Sequence, residues 1–134
     1  MTLGLDPQAP KRDPPPALPR VVGNVRRTGL TGNVTATTLW TAPVSAHYRA
    51  SVSQRCTTIS GAGAPTVATT IRWTDNSGAR NVATGNLSLA ALGENALVYC
   101  FECVFGQAIT WETAIAAAAG NPVYEVAVTL EVMS

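Results

Sequence analysis

Few side chains in this sequence carry the chemistry of catalysis or metal binding, and their spacing limits what they can do. A hydrolase or transferase needs a nucleophile with a base in reach, paired carboxylates, or a metal. The one histidine, His47, follows Thr41-Ala-Pro-Val-Ser-Ala46 at the entry to a strand and reads as a polar loop residue. Cys100-Phe-Glu-Cys103 has the spacing of a zinc or redox pair. On a strand, however, residues three apart point to opposite faces, and only Cys56 and His47 remain to complete a zinc shell. The expectation is three reduced, buried core thiols and no metal site. No Gly-x-Ser-x-Gly elbow, phosphate loop or dinucleotide fingerprint is present. The sequence therefore points away from an enzyme: no catalytic residues and no cofactor are expected.

Two other sets of residues suit binding. Exposed tryptophans stack on sugar rings or cover subunit seams, and Trp40 and Trp111, at strand ends beside threonine-rich stretches, are the candidates for oligomer or glycan contacts. The second set is basic. Lys11, Arg12, Arg20, Arg26 and Arg27 stand against only Asp6 and Asp13 up to residue 27, while the remainder has four arginines and six acidic residues. Six of the nine prolines, among them Pro14, Pro15 and Pro16, lie in the first nineteen residues. Proline fixes φ and biases its predecessor toward extended geometry. Residues 1–28 are therefore expected to form an extended, basic, partner-binding arm, with Thr2 to Arg20 mobile in the isolated protein, ahead of a folded domain over 29–134.

The rest of the chain must supply the framework. At 134 residues, with 46% hydrophobic and 13% charged side chains, it is sized for one folded domain. A formal net charge of +1 gives no global field for nucleic acid. No apolar run is long enough to span a bilayer and the N-terminus lacks a signal-peptide pattern, so a soluble protein synthesised in a cytoplasm is expected, with neither nucleic acid nor membrane as partner.

Period-two alternation dominates from Gly29 onward. Tyr48, Ala50, Val52 and Cys56 share one face against Arg49, Ser51, Ser53 and Arg55. Val67, Thr69, Ile71 and Trp73 repeat the pattern, Asp75-Asn-Ser-Gly78 turns the chain, and Arg80 to Leu89 returns as a hairpin. Tyr124, Val126, Val128, Leu130 and Val132 alternate with Glu125, Ala127, Thr129 and Glu131. Leu97 to Phe105 is apolar on both faces except for Glu102, which predicts a central or interface strand. Shorter strands are expected at Val34 to Trp40 and Ala108 to Glu112, and Ala114 to Ala119 is the one helix-prone stretch. The sum is an all-β chain, an antiparallel β-sandwich or jelly roll of about seven to eight strands. Its core should include Val52, Ile71, Trp73, Leu97, Val126, Val128 and Leu130.

Ala36-Thr-Thr-Leu-Trp-Thr-Ala-Pro43, His47-Tyr-Arg-Ala-Ser-Val52, Ile71-Arg-Trp-Thr-Asp75, Ala108-Ile-Thr-Trp111 and Asn121 to Glu131 together resemble the small β modules of tailed-bacteriophage virion proteins. Such modules occur in capsid decoration or cement proteins and in fibre tips. The likeness runs from Leu30 to Val132 and leaves the arm unmatched; His47 stands where such modules often have glycine. The resemblance implies a non-enzymatic structural role in the virion and a homo-oligomer, in particular a trimer. The partner expected is the major capsid protein or another virion protein, with the arm as the attachment, because an extended arm offers backbone groups for strand addition and its arginines pair with surface carboxylates. The alternatives are a tail-fibre, head-fibre or baseplate module that binds a host receptor or glycan, and a carbohydrate-binding module.

Overall fold

A computed structural model describes residues 19–134. Among them are nine strands and no helix: β1 (Arg20–Leu30), β2 (Val34–Thr41), β3 (Ala46–Thr58), β4 (Thr66–Asp75), β5 (Gly78–Ala83), β6 (Leu87–Ser88), β7 (Gly93–Cys103), β8 (Ala108–Ala116) and β9 (Val123–Val132). One sheet runs β1-β9-β3-β7; the other runs β2-β8-β4-β5, with β6 also on β4. The pairing has a simple logic. β1 pairs with β9, β2 with β8, β3 with β7 and β4 with β5, all antiparallel, as in a single ribbon folded at its middle. That ribbon is then rolled so that β9 also meets β3 and β8 also meets β4. This is the jelly-roll arrangement, which buries the apolar face of each sheet against the other.

The inward rows are those that alternation predicts. Tyr48, Ala50, Val52 and Cys56 on β3, Val67, Ile71 and Trp73 on β4, and Tyr124, Val126, Val128 and Leu130 on β9 are all buried. Leu97 is half-buried and packs on this core from its margin. The Asp75–Gly78 turn joins β4 to β5 in register, with Gly78 at φ 116°, a conformation that favours glycine.

Three expectations change. The segment from Arg20 to Thr28, placed in the arm, is most of β1: Val25 sits opposite Val128 and packs on the core, so it contributes to the folded body. Ala114 to Ala116, read as helix-prone, ends β8, because Ala114, Ile115 and Ala116 pair with Ala68, Val67 and Thr66. Six residues cannot nucleate a helix against a ladder already formed next to them. β7 is not central. It is the free edge of its sheet, paired on one side only, with β3. Lys11, Arg12, Pro14, Pro15 and Pro16, and with them most of the expected arm, lie outside the described residues.

Candidate interaction surface

Of the basic residues expected in the arm, the three that the structure describes, Arg20, Arg26 and Arg27, are on β1. Arg26 donates to Glu125 at 3.1 Å, and the Arg55 guanidinium lies 3.7 Å from the same carboxylate. Arg26 is therefore tied into its own sheet. Arg20 and Arg27 are exposed on β1, opposite Val132 and Val126. These three arginines lie along one sheet edge instead of on a free segment.

The tryptophans do not form an exposed platform. Trp111 is only 1% exposed, because it shares the inward row of β8 with Ile109 and Thr113. It is a core residue, not a glycan contact. Trp40 is half-buried, packs on the core and donates its indole N–H to the Tyr48 hydroxyl at 3.3 Å. The thiols divide as strand geometry requires. Cys56 and Cys103 are buried and Cys100 is exposed, which corrects the expectation of three core thiols. Burial pushes the Cys56 and Cys103 thiols above their usual range and so disfavours thiolate chemistry there. His47 is exposed, with Nδ1 3.0 Å from the Ser134 hydroxyl. Among the described residues no cluster of three potential metal ligands occurs.

Sequence reasoning missed two polar staples between the sheets. Gln54 on β3 is 1% exposed. Its amide donates to the carbonyls of Val67 and Gly85 and to the Thr84 hydroxyl, and its oxygen accepts from Thr69 at 2.8 Å. The alternation that puts Val52 and Cys56 inside puts Gln54 there too, so a signal existed. The second staple is a relay. The Val34 N–H donates to the Thr113 hydroxyl, and the Thr113 and Tyr124 hydroxyls meet at 2.6 Å. Tyr124 then donates to the Gly32 carbonyl at 2.6 Å, so Thr113 is the donor to Tyr124. Each buried hydroxyl is satisfied, as a low-dielectric interior demands. Burial pushes both the Tyr48 and Tyr124 phenols above their usual range.

What remains to meet a partner is the surface. The outer row of β4 and β8 is Thr66, Ala68, Thr70 and Thr74 with Ala108, Thr110, Ala114 and Ala116, interrupted by the Arg72–Glu112 ion pair at 2.9 Å. That pair holds the Glu112 carboxyl below its usual range. Such a face is flat and weakly charged. The edge strand β7 is different: Val98 is 62% and Tyr99 42% exposed, and exposed Cys100 follows. Leu92 and Phe105, at the two ends of this strand, are exposed as well. The inner side of Tyr99 leans on Trp73, centroid to centroid 5.7 Å, and Trp73 stacks on Phe101 at 4.2 Å. Beside them a recess of about 350 Å³ is lined by Asp75, Arg80, Asn81, Tyr99 and Glu102. Arg80 is bound to Asp75 at 3.1 Å.

No protein-family model matches the chain, and no curated protein sequence does. Some solved structures align with the chain. The chain aligns over 98% of its length with the VP2 subviral particle of infectious bursal disease virus, at 16% identity and a TM-score of 0.45, covering 36% of that protein. For the structure of the Gx strain of the same virus the values are 18% identity, a TM-score of 0.45 and 37% of that chain. A virus-like particle of the extra small virus of the giant freshwater prawn Macrobrachium rosenbergii aligns at 15% identity and a TM-score of 0.27, over 94% of its chain. The chain thus spans just over a third of the length of the first two. The jelly-roll class itself follows from the strand order.

Proposed function

We propose that this chain is a non-enzymatic structural subunit of a virus particle. In its specific form it is a decoration or cement subunit, resident in the virion and homo-oligomeric. The segment preceding β1 holds it to the major capsid protein or another virion protein. Jelly rolls also build lectins and cupins, so fold alone does not choose among them. The observation that favours a structural subunit is the character of the surface. A threonine- and alanine-covered sheet face and a bare apolar edge strand suit lateral packing of a rigid body between neighbours.

The attachment is carried by Lys11, Arg12 and Pro14 to Pro16. A proline-rich stretch has less conformational freedom to lose on docking, and its basic side chains pair with surface carboxylates. Arg20 and Arg27, exposed on β1, extend that basic track along the body. Particles stripped of the protein are the assay. Full-length protein should rebind, and a form lacking residues 1–18 should fold but bind far more weakly. Equal binding by both would refute attachment by the arm.

A second reading, a fibre or baseplate module that binds a host glycan, is favoured by the recess beside Tyr99. Its half-exposed ring, with Asn81 and Glu102, offers the stacking and hydrogen bonding that a pyranose uses. Quenching or enhancement of tryptophan fluorescence by monosaccharides, lost in Tyr99→Ala, would support it.

A further inference from the structure

Strand edges expose unpaired N–H and C=O groups, and folded proteins guard them with bulges, charge, proline or short length. Among the described residues, three of the four outer strands carry such guards. β1 is broken by register shifts between Val21 and Gly23 and between Arg27 and Leu30, and it carries three arginines. β2 has shifts between Val34 and Thr37 and between Thr38 and Trp40. β5 is six residues long and contains Arg80. β7 has only one of these, the two charges Glu94 and Glu102, and both lie toward its ends. It runs eleven residues without a register shift from Gly93 to Cys103, contains no proline and no basic residue, and exposes Val98, Tyr99 and Cys100 at its middle.

We propose that the free edge of β7 is an interface in which β7 of a second copy pairs with it antiparallel, joining two sandwiches through one continuous sheet about a twofold axis. The occupant follows from the strand's own sequence. The proline-rich segment ahead of β1 is a poor candidate, since each proline removes a ladder donor. Of the two registers that centre the exposed pair Val98 and Tyr99, one suits a second β7. Antiparallel strands that keep their faces oppose residues of equal parity, so a residue lies on the axis. With Val98 there, Glu94 would face Glu102 of the second copy, twice over, and like charges directly opposed are unfavourable. With Tyr99 there, the glutamates separate. Val98 then faces Cys100 of the second copy on the outer side, and Leu97 faces Phe101 of the second copy on the inner side. The two Tyr99 rings meet at the axis and extend the Trp73–Phe101 aromatic stack across the seam. The contact is isologous and closes as a pair, and it coexists with any threefold contact made elsewhere on the body.

The seam rests on the reading above only in taking the chain to self-associate. Failure to rebind particles leaves it standing, and loss of the seam leaves attachment by the arm standing. Light scattering on the full-length protein should give a mass corresponding to an even number of chains. Val98→Lys combined with Cys100→Lys, both at outward and exposed positions, opposes lysines across the axis and should halve that mass with an unchanged β-sheet circular dichroism spectrum. A second variant does not depend on that one folding well. Val98→Cys should cross-link to Cys100 of the second copy under copper phenanthroline oxidation. Directly opposed Cβ atoms lie about 4.5 to 5.5 Å apart. Positions two apart on one strand are separated by about 6.6 Å and cannot close the same bridge internally. Wild type, with its two Cys100 thiols diagonal, should cross-link far less. A monomer at tens of micromolar, a mass that the lysine pair leaves unchanged, or no gain in cross-linking with Val98→Cys would each overturn the proposal.

Discussion

β1 and β7 close the two ends of the same sheet, and they meet water in opposite ways. β1 is bulged, carries Gly29 at φ 65° within its second irregularity, and ties Arg26 back onto Glu125 of β9. A bulge with a left-handed glycine bends the strand and interrupts the ladder that another chain would need. β7 keeps straight register with β3 over its whole length and presents apolar side chains at its centre. Both edges are equally open to pairing in topology. The difference lies in side chains and register, and it teaches that one edge is finished as surface while the other is finished as a contact.

The largest expected effect tests what holds β7 in place. Trp73 lies beneath it, stacked on Phe101 and against Tyr99, so Trp73→Ala should cost about 3 to 5 kcal/mol in denaturant unfolding and loosen this edge first. Hydrogen exchange in the variant should rise on β7 before it rises on β1. Uniform acceleration across both edges would remove the contrast. Next in size is Tyr124→Phe, which acts at the β1 end. The hydroxyl that joins Thr113 to the Gly32 carbonyl is lost, and the buried Thr113 hydroxyl is left short of an acceptor, at about 1 to 3 kcal/mol. Exchange should then rise at the β1–β2 connection and stay unchanged on β7.

Alkaline titration probes the same core without mutation. The Cys56 and Cys103 thiols and the Tyr48 and Tyr124 phenols are all raised in the folded state. The unfolded chain therefore loses protons first, and stability that is fully present below pH 9.0, the ordinary thiol value, should fall as pH rises past it and then past 10.0, the ordinary phenol value. A flat stability profile from pH 8 to about pH 11 would contradict this burial. The smallest effect is expected from Arg26→Gln. Its guanidinium is mostly in water, so breaking the Glu125 pair should cost only about 0 to 1 kcal/mol, and less at high salt. The value of Arg26 to the β1 edge is charge, not stability. Increased self-association of Arg26→Gln together with Arg20→Gln would confirm that role.

Much of the fold was legible in residues whose neighbours in sequence report their surroundings. Tyr48 to Cys56 and Tyr124 to Val132 alternate so regularly that inward and outward rows could be assigned without coordinates. The Asp75–Gly78 turn was legible for a similar reason, since turn chemistry is local. β1 was not. Gly23, Gly29 and the paired Arg26 and Arg27 blur its alternation, and only pairing with β9 makes a strand of it. The candidate surface was half legible: Leu97 to Phe105 stood out as apolar on both faces, but its place at an edge could not be read from composition.

By itself, the sequence determined the class of structure, an antiparallel sandwich or jelly roll with its main hydrophobic rows, because period-two patterning and turn residues act within a few positions of one another. It also placed basic charge and proline ahead of the body. The tertiary structure alone decided which strands are edges, that Trp111 is core while Tyr99 is surface, and that Gln54 and Tyr124 staple one sheet to the other. These depend on contacts between residues far apart in the chain, such as Tyr124 with Gly32, and no local pattern encodes which distant strand arrives to make them.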